Sequence, residues 1–138
     1  MAMAENCVFC RIASREAPAE IVAEDELTLS FMDINPATRG HALVITKAHR
    51  ENLFAVGAEE LAAVVRAARN LARLVIERLG ADGVNLLNSC GSAAWQTVFH
   101  FHVHVIPRYH GDPLRLPWVP TPGSPEEIAQ AAQLLRGG

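Results

Sequence analysis

The sequence is short of several things, and each shortage removes a class of function. Its net charge is only −3 over 138 residues. The basic stripe of a duplex nucleic-acid binder is therefore missing, and no nucleic-acid partner is expected. Three cysteines are too few, and odd in number, to suggest a disulfide framework. No uninterrupted apolar run reaches the roughly 20 residues needed to cross a bilayer, so no membrane partner is expected either. The opening Met-Ala-Met-Ala-Glu-Asn-Cys has no basic region followed by an apolar one. No secretory leader is expected there, and the cytoplasm is the expected compartment. Internal repeats are lacking.

What is present is ordinary globular material, 50% hydrophobic and 20% charged, in a length that fits one domain. Ile21–Ala23 and Leu27–Met32 are β-prone runs flanking the charged Glu24-Asp25-Glu26, which predicts a hairpin. Turn residues follow, and Ala42–Thr46 reads as a strand starting after His41. From Gly57 to Gly80, Leu61, Val64, Val65, Ala68, Leu71, Ala72, Val75 and Leu79 recur at helical spacing, with Arg66, Arg69, Arg73 and Glu77 opposite them. Gly83–Asn88 is a further strand and Ser89–Thr97 a loop. Five prolines between Pro113 and Pro125 keep the next segment out of any central strand. Ser124, Pro125 and Glu127 supply a cap, a first-turn proline and a capping-box glutamate for a short helix to about Arg136. The expected fold is α+β, a mainly antiparallel sheet with one long helix and a short C-terminal helix.

The chemistry-bearing stretch is Val98–Ile106, in which His100, His102 and His104 alternate with Phe99, Phe101, Val103 and Val105. On a strand the imidazoles share one face and the apolar residues the other. Same-face neighbours lie roughly 6.7 Å apart, which puts His100 and His104 about 13 Å apart, too far to share one metal ion. The three histidines must divide their labour. A neutral imidazole is a good nucleophile near neutral pH, and phosphorus is its natural electrophile. The preceding loop, Asn88 to Thr97, offers hydroxyls, amides and small residues able to surround a phosphate. The plainer alternative is three core histidines satisfied by backbone groups.

His100-Phe101-His102-Val103-His104-Val105-Ile106, preceded by Gln96-Thr97-Val98-Phe99, resembles the signature of the histidine triad (HIT) family. Phe31-Met32-Asp33-Ile34-Asn35-Pro36, Gly40–Ile45 with His49, and Cys7-Val8-Phe9-Cys10-Arg11-Ile12 fit the same family, the last resembling its bacterial Hint-like branch. The likeness runs from about Cys7 to Arg108, with residues 111–138 as a proline-rich extension of a single domain.

The resemblance implies a HIT-like fold and a hydrolase in which His102 attacks the α-phosphorus of a nucleotide to form a covalent nucleotidyl-histidine. His102 would donate its other ring proton to a backbone carbonyl. His104 would hydrogen-bond the α-phosphate, His41 would orient the triad from behind, and Gln96 and Thr97 would contact phosphate or leaving-group oxygens. Val8, Phe9, Ile12, Phe31 and Ile34 would surround the base, and Asp33 would hold the ribose hydroxyls. Asn88 or Ser89 would contact ribose or phosphate, with Asn88 preferred. Trp95 stands where relatives carry a small residue, and the 88–96 loop is a residue longer than in many of them. Bacterial relatives hold a structural zinc through the set that here reads Cys7, Cys10, His49 and His100; two inert buried thiols are the alternative. Cys90 has no part in this scheme.

The implied substrates are purine nucleoside phosphoramidates or aminoacyl-adenylates, with no organic cofactor and no catalytic metal. Fhit-like hydrolysis of dinucleoside polyphosphates is the nearest alternative, with Arg108 and Pro113–Pro125 placed to read a leaving group. Nucleotidyl transferases of this kind tend to carry glutamine where His104 stands. A cupin-type enzyme with His100 and His102 on a catalytic metal would want a glutamate soon after, and Val103–His110 contains none. A non-catalytic nucleotide sensor is the remaining class, disfavoured by the intact His41, His102 and His104. The Hint-like branch also implies a homodimer with the long helix and adjacent sheet edge at the interface.

Overall fold

The computed structural model describes residues 6–137; the leader expectation for residues 1–5 lies outside them. The elements run α1 (Val8–Ala13), β1 (Ile21–Glu24), β2 (Thr28–Met32), β3 (Ala42–Thr46), α2 (Ala58–Leu79), β4 (Gly83–Leu87), a 3₁₀ turn (Ser92–Ala94), β5 (His102–Arg108) and α3 (Pro125–Leu135). The strands form one five-stranded sheet in the order β1-β2-β3-β5-β4, antiparallel throughout. Among the described residues no helix is long and apolar enough to cross a membrane.

Alternation along the strands builds two cores. Ala42, Val44, Val103 and Val105 face α2 and pack with its Val64, Ala68 and Leu71. Burying each such valine or leucine stabilises by about 1.5–3 kcal/mol, which is what holds a long helix across the sheet. Gly80 ends it in the left-handed conformation (φ +72°), and at its start the Gly57 N–H donates to the Glu60 carboxylate. The opposite residues, Leu29, Phe31, Leu43 and Ile45, pack with Phe9 and Ile12 of α1. The cross-strand partners of Leu43 and Ile45 on this second face are His104 and His102. Alternation thus puts those two histidines on the side away from α2, beside α1.

A glycine is required just before β3. Gly40 has φ +92°, and a Cβ there would lie 2.5 Å from Leu79 Cδ1 and 3.2 Å from Pro107 Cγ. The chain enters β3 pressed against the end of α2, which fixes where His41 starts the strand.

The structure corrects several expectations. The histidine strand begins at His102, not Val98. The chain before it is held differently, by the Phe101 N–H on the Arg50 carbonyl (2.6 Å). His100 therefore precedes the strand, and Phe99 is 44% exposed while Phe101 is 1% exposed. Pro107 extends β5 beyond Val105, its last residue paired with β3, and the Thr38 hydroxyl donates to its carbonyl. Helix α1 was not anticipated, because six residues are too few to show helical periodicity. The expected C-terminal helix forms behind its Ser124 cap, yet buries none of its residues.

Candidate active site and metal centre

Backbone groups of fixed polarity decide the tautomers of the site histidines. His102 Nδ1 lies 2.6 Å from the His100 carbonyl oxygen. A carbonyl only accepts, so Nδ1 carries the proton and Nε2 keeps a lone pair. His41 Nδ1 lies 2.9 Å from the Ala37 backbone nitrogen, which only donates, so the proton of His41 sits on Nε2. That N–H points at His104 Nδ1, 2.9 Å away, with Asp33 Oδ2 at 3.5 Å. His104 Nδ1 accepts, which leaves its proton on Nε2. The relay thus ends in one imidazole with a free lone pair and a neighbour with a free donor, their rings 5.1 Å apart.

Electrostatics keep these rings neutral. Burial pushes His102 below the ordinary imidazole value. Burial, reinforced by His102 and His41, pushes His104 down to about 4. Burial also lowers His41, against the opposing pull of the Asp33 carboxylate. Near pH 7 the His102 Nε2 lone pair is therefore available.

The first histidine serves a different cluster. His100 Nδ1 is 3.4 Å from Cys7 Sγ and 3.5 Å from Cys10 Sγ, and Cys10 Sγ is 3.3 Å from His49 Nδ1. The four ligand atoms lie within 4.8 Å of one another. A tetrahedral ion with metal–sulfur bonds of about 2.3 Å and metal–nitrogen bonds of about 2.0 Å sets its ligand atoms about 3.5 Å apart, so the set fits. His100 Nε2 donates to the Thr46 carbonyl (2.7 Å), which aims its Nδ1 lone pair at the sulfurs. Asp33, His41 and His104 also converge within 4.8 Å. The Ala37 N–H on His41 Nδ1 keeps the proton on Nε2, so His41 turns an N–H and not a lone pair toward the centre of that trio.

Other expected site residues divide. Phe9, Ile12 and Phe31 come together in one buried cluster. Phe9 stacks edge-on against Phe31 (5.5 Å) and against the His102 ring (5.1 Å), joining the apolar cluster to the triad. Val8 (37%) and Ile34 (89%) are exposed and stand apart from that packing. Thr97 is exposed beside a cavity of about 510 Å³ that also takes in Cys7, Val8 and His49.

Gln96 is buried, and its amide is engaged entirely with backbone: Oε1 accepts from Gly91, Nε2 donates to the carbonyls of Glu51 and Val98. It shapes the loop instead of pointing at a phosphate. Asn88 donates to the His102 carbonyl (2.9 Å), bracing the strand end, and Ser89 is buried. Trp95 is 65% exposed in the left-handed conformation after the 3₁₀ turn. The Arg108 guanidinium is held by Asp112, Asn85 and the Leu114 carbonyl, so it reads no leaving group in this arrangement. The Ala37 N–H and the Thr46 carbonyl escaped sequence reading, since backbone groups carry no side-chain signature.

The HIT domain family model matches residues 14–111. The chain is 42% identical over 119 residues to "Protein hit" of Bacillus subtilis, covering 86% of this chain and 82% of that one. It is 36% identical over 124 residues to the adenosine 5'-monophosphoramidase hnt1 of Schizosaccharomyces pombe, covering 89% and 90%. Its structure superimposes on that of a Zn-bound histidine triad family protein from Mycobacterium smegmatis with a TM-score of 0.77 and 42% identity, covering 96% of this chain and 98% of that one. With the triad, its relay and the antiparallel sheet in place, the chain belongs to the HIT family.

Proposed function

We propose that this protein hydrolyses purine nucleoside phosphoramidates or aminoacyl-adenylates at the α-phosphorus through a covalent nucleotide on His102. The observation that carries the reading is the 2.6 Å hydrogen bond from His102 Nδ1–H to the His100 carbonyl, which leaves Nε2 as the attacking lone pair. Nε2 bonds to phosphorus as the bond to the leaving group breaks: P–N in a phosphoramidate, whose amine takes up a proton from water as it departs, or P–O in an aminoacyl-adenylate, which leaves as the carboxylate. The His104 Nε2–H faces the developing phosphoryl charge. Water then cleaves the phosphorus–histidine bond, releasing the nucleoside monophosphate and neutral His102.

The base lies against Phe9, Ile12 and Phe31, with Val8 and Ile34 closing over it. Asp33 takes the ribose hydroxyls, and Thr97 and Asn88 complete the phosphate and ribose contacts. The tethered Arg108 gives a dinucleoside polyphosphate no added cation to bind, which favours the phosphoramidate reading. Zinc is the ion we assign to Cys7, Cys10, His49 and His100. Its support is the donor set itself and the zinc of the M. smegmatis relative. A homodimer is assigned from the free β4 edge, where Leu86 is 49% exposed, and from exposed Val65 and Ile76 on α2. We place the enzyme in the cytoplasm.

The test is intact-protein mass spectrometry after non-acid quenching with an adenosine phosphoramidate, comparing the native protein with His102→Asn. An adenylyl adduct on the native chain only, with turnover falling by at least about a thousandfold in the variant, is the expected result. Turnover that persists in His102→Asn would sink the mechanism.

A further inference from the structure

We propose that the Cys7–Cys10–His49–His100 cluster is a positioning device for nucleotide binding: the ion it holds orients His102 and seats the Phe9 wall. The proposal rests on the function assigned above and goes beyond a merely structural role for the ion.

Three observations carry it. His100 belongs to both sites through separate atoms. Its Nδ1 faces the two thiols, its Nε2 donates to Thr46, and its own carbonyl receives the His102 proton at 2.6 Å. Any shift of the chain at His100 moves the carbonyl acceptor that fixes the tautomer and orientation of His102.

Phe9 lies between the cluster's cysteines in sequence and between the sites in space. Its ring stands 5.9 Å from that of His100, 5.1 Å from that of His102 and 5.5 Å from that of Phe31. The wall of the base site and the ring of the nucleophile therefore share one support.

That support is helix α1, only six residues long. Isolated helices of this length do not persist in water, so α1 depends on what anchors it. Its anchors are the Phe9 and Ile12 side chains and the two thiols. A metal would tie α1 through Cys7 and Cys10 to His49, just after β3, and to His100, just before β5. The larger core between α2 and the sheet includes no residue of α1. The fold therefore survives without the tie, while the site loosens.

Apparent affinity scales with the fraction of molecules in the competent conformation. If α1 stays seated in one molecule in ten, nucleotide binding weakens about tenfold. The test uses the full chain, zinc-loaded, chelator-stripped and zinc-restored, with AMP as the probe. AMP affinity is measured by calorimetry and the His102 ring by imidazole ¹⁵N–¹H spectra; circular dichroism reports the fold. Expected on stripping is an AMP Kd raised about tenfold or more, loss of the His102 Nδ1–H signal, unchanged secondary structure, and recovery with zinc. Cys10→Ser, purified without added metal, should behave like the stripped protein.

An unchanged Kd together with an unchanged His102 signal overturns the proposal. So does failure to take up zinc, or global unfolding on stripping, which would make the ion a staple of the whole fold. If AMP binds neither form, the nucleotide reading has failed; the His102 spectrum still supports the coupling if it changes and overturns it if it does not.

Discussion

Replacing His41 with alanine separates the proton relay from mere packing. His41 is 5% exposed and its ring makes two hydrogen bonds, accepting from the Ala37 N–H and donating to His104 Nδ1, each at 2.9 Å. At about 1 kcal/mol each, their loss removes about 2 kcal/mol of stability. For a chain of this size that lowers Tm by about 8 °C. The same change frees the His104 ring, which then holds its Nε2–H toward the phosphate only part of the time. Losing about 1.4 kcal/mol of orientation costs about tenfold in kcat. That is milder than the roughly hundredfold or greater loss from deleting an oxyanion donor outright. His41→Gln sharpens the comparison. Its amide nitrogen reaches the position of Nε2 and restores the donor to His104, but it offers no acceptor at the position of Nδ1. Phosphoramidate turnover and thermal melts of the three proteins give the answer. Glutamine should recover most of kcat and little of Tm. If alanine lowers Tm and leaves kcat untouched, His41 is a packing residue and the tautomer relay is wrong.

Charge yields two further predictions and the sheet edge a third. Burial holds His102 below its ordinary value near 6.5 and His104 down to about 4, so both rings stay neutral into mild acid. The acid limb of kcat/KM should then fall below pH 6.5; a half-maximum above that value would refute it. The same depressed values mean that the unfolded chain binds more protons between its ordinary histidine value and about 4. Stability should therefore decline as pH drops through that window, and equal denaturation midpoints at pH 7 and pH 5 would contradict the assignment. Leu86 projects from the free edge strand β4 at 49% exposure. Leu86→Arg should convert a dimer to a monomer in sedimentation velocity with little change in the circular dichroism spectrum, whereas a variant that stays dimeric would remove this edge from the interface.

The sequence by itself determined what periodicity and residue chemistry can encode. Spacing at three and four marked α2 between its two capping glycines, and alternation placed Val103 and Val105 opposite His102 and His104. The family motifs pointed to the histidines and to the Cys7, Cys10, His49 and His100 set that the fold brings together, because imidazoles and thiols advertise their chemistry wherever they stand. The Ser124-Pro125 cap likewise announced α3.

Only the tertiary structure decided how those groups work. The tautomers of His41 and His102 depend on the Ala37 N–H and the His100 carbonyl, and every residue has such groups, so the sequence cannot single them out. The strand could be read as running from Val98, yet the Arg50 carbonyl takes the Phe101 N–H and delays it to His102. That delay lets His100 reach the thiols. Gln96 and Arg108 carry the right chemistry for substrate contact, but their donors already have partners within the fold. Helix α1 forms because Phe9 and Ile12 are buried against β2 and β3 and the thiols meet His49 and His100, contacts from distant parts of the chain that no local window contains.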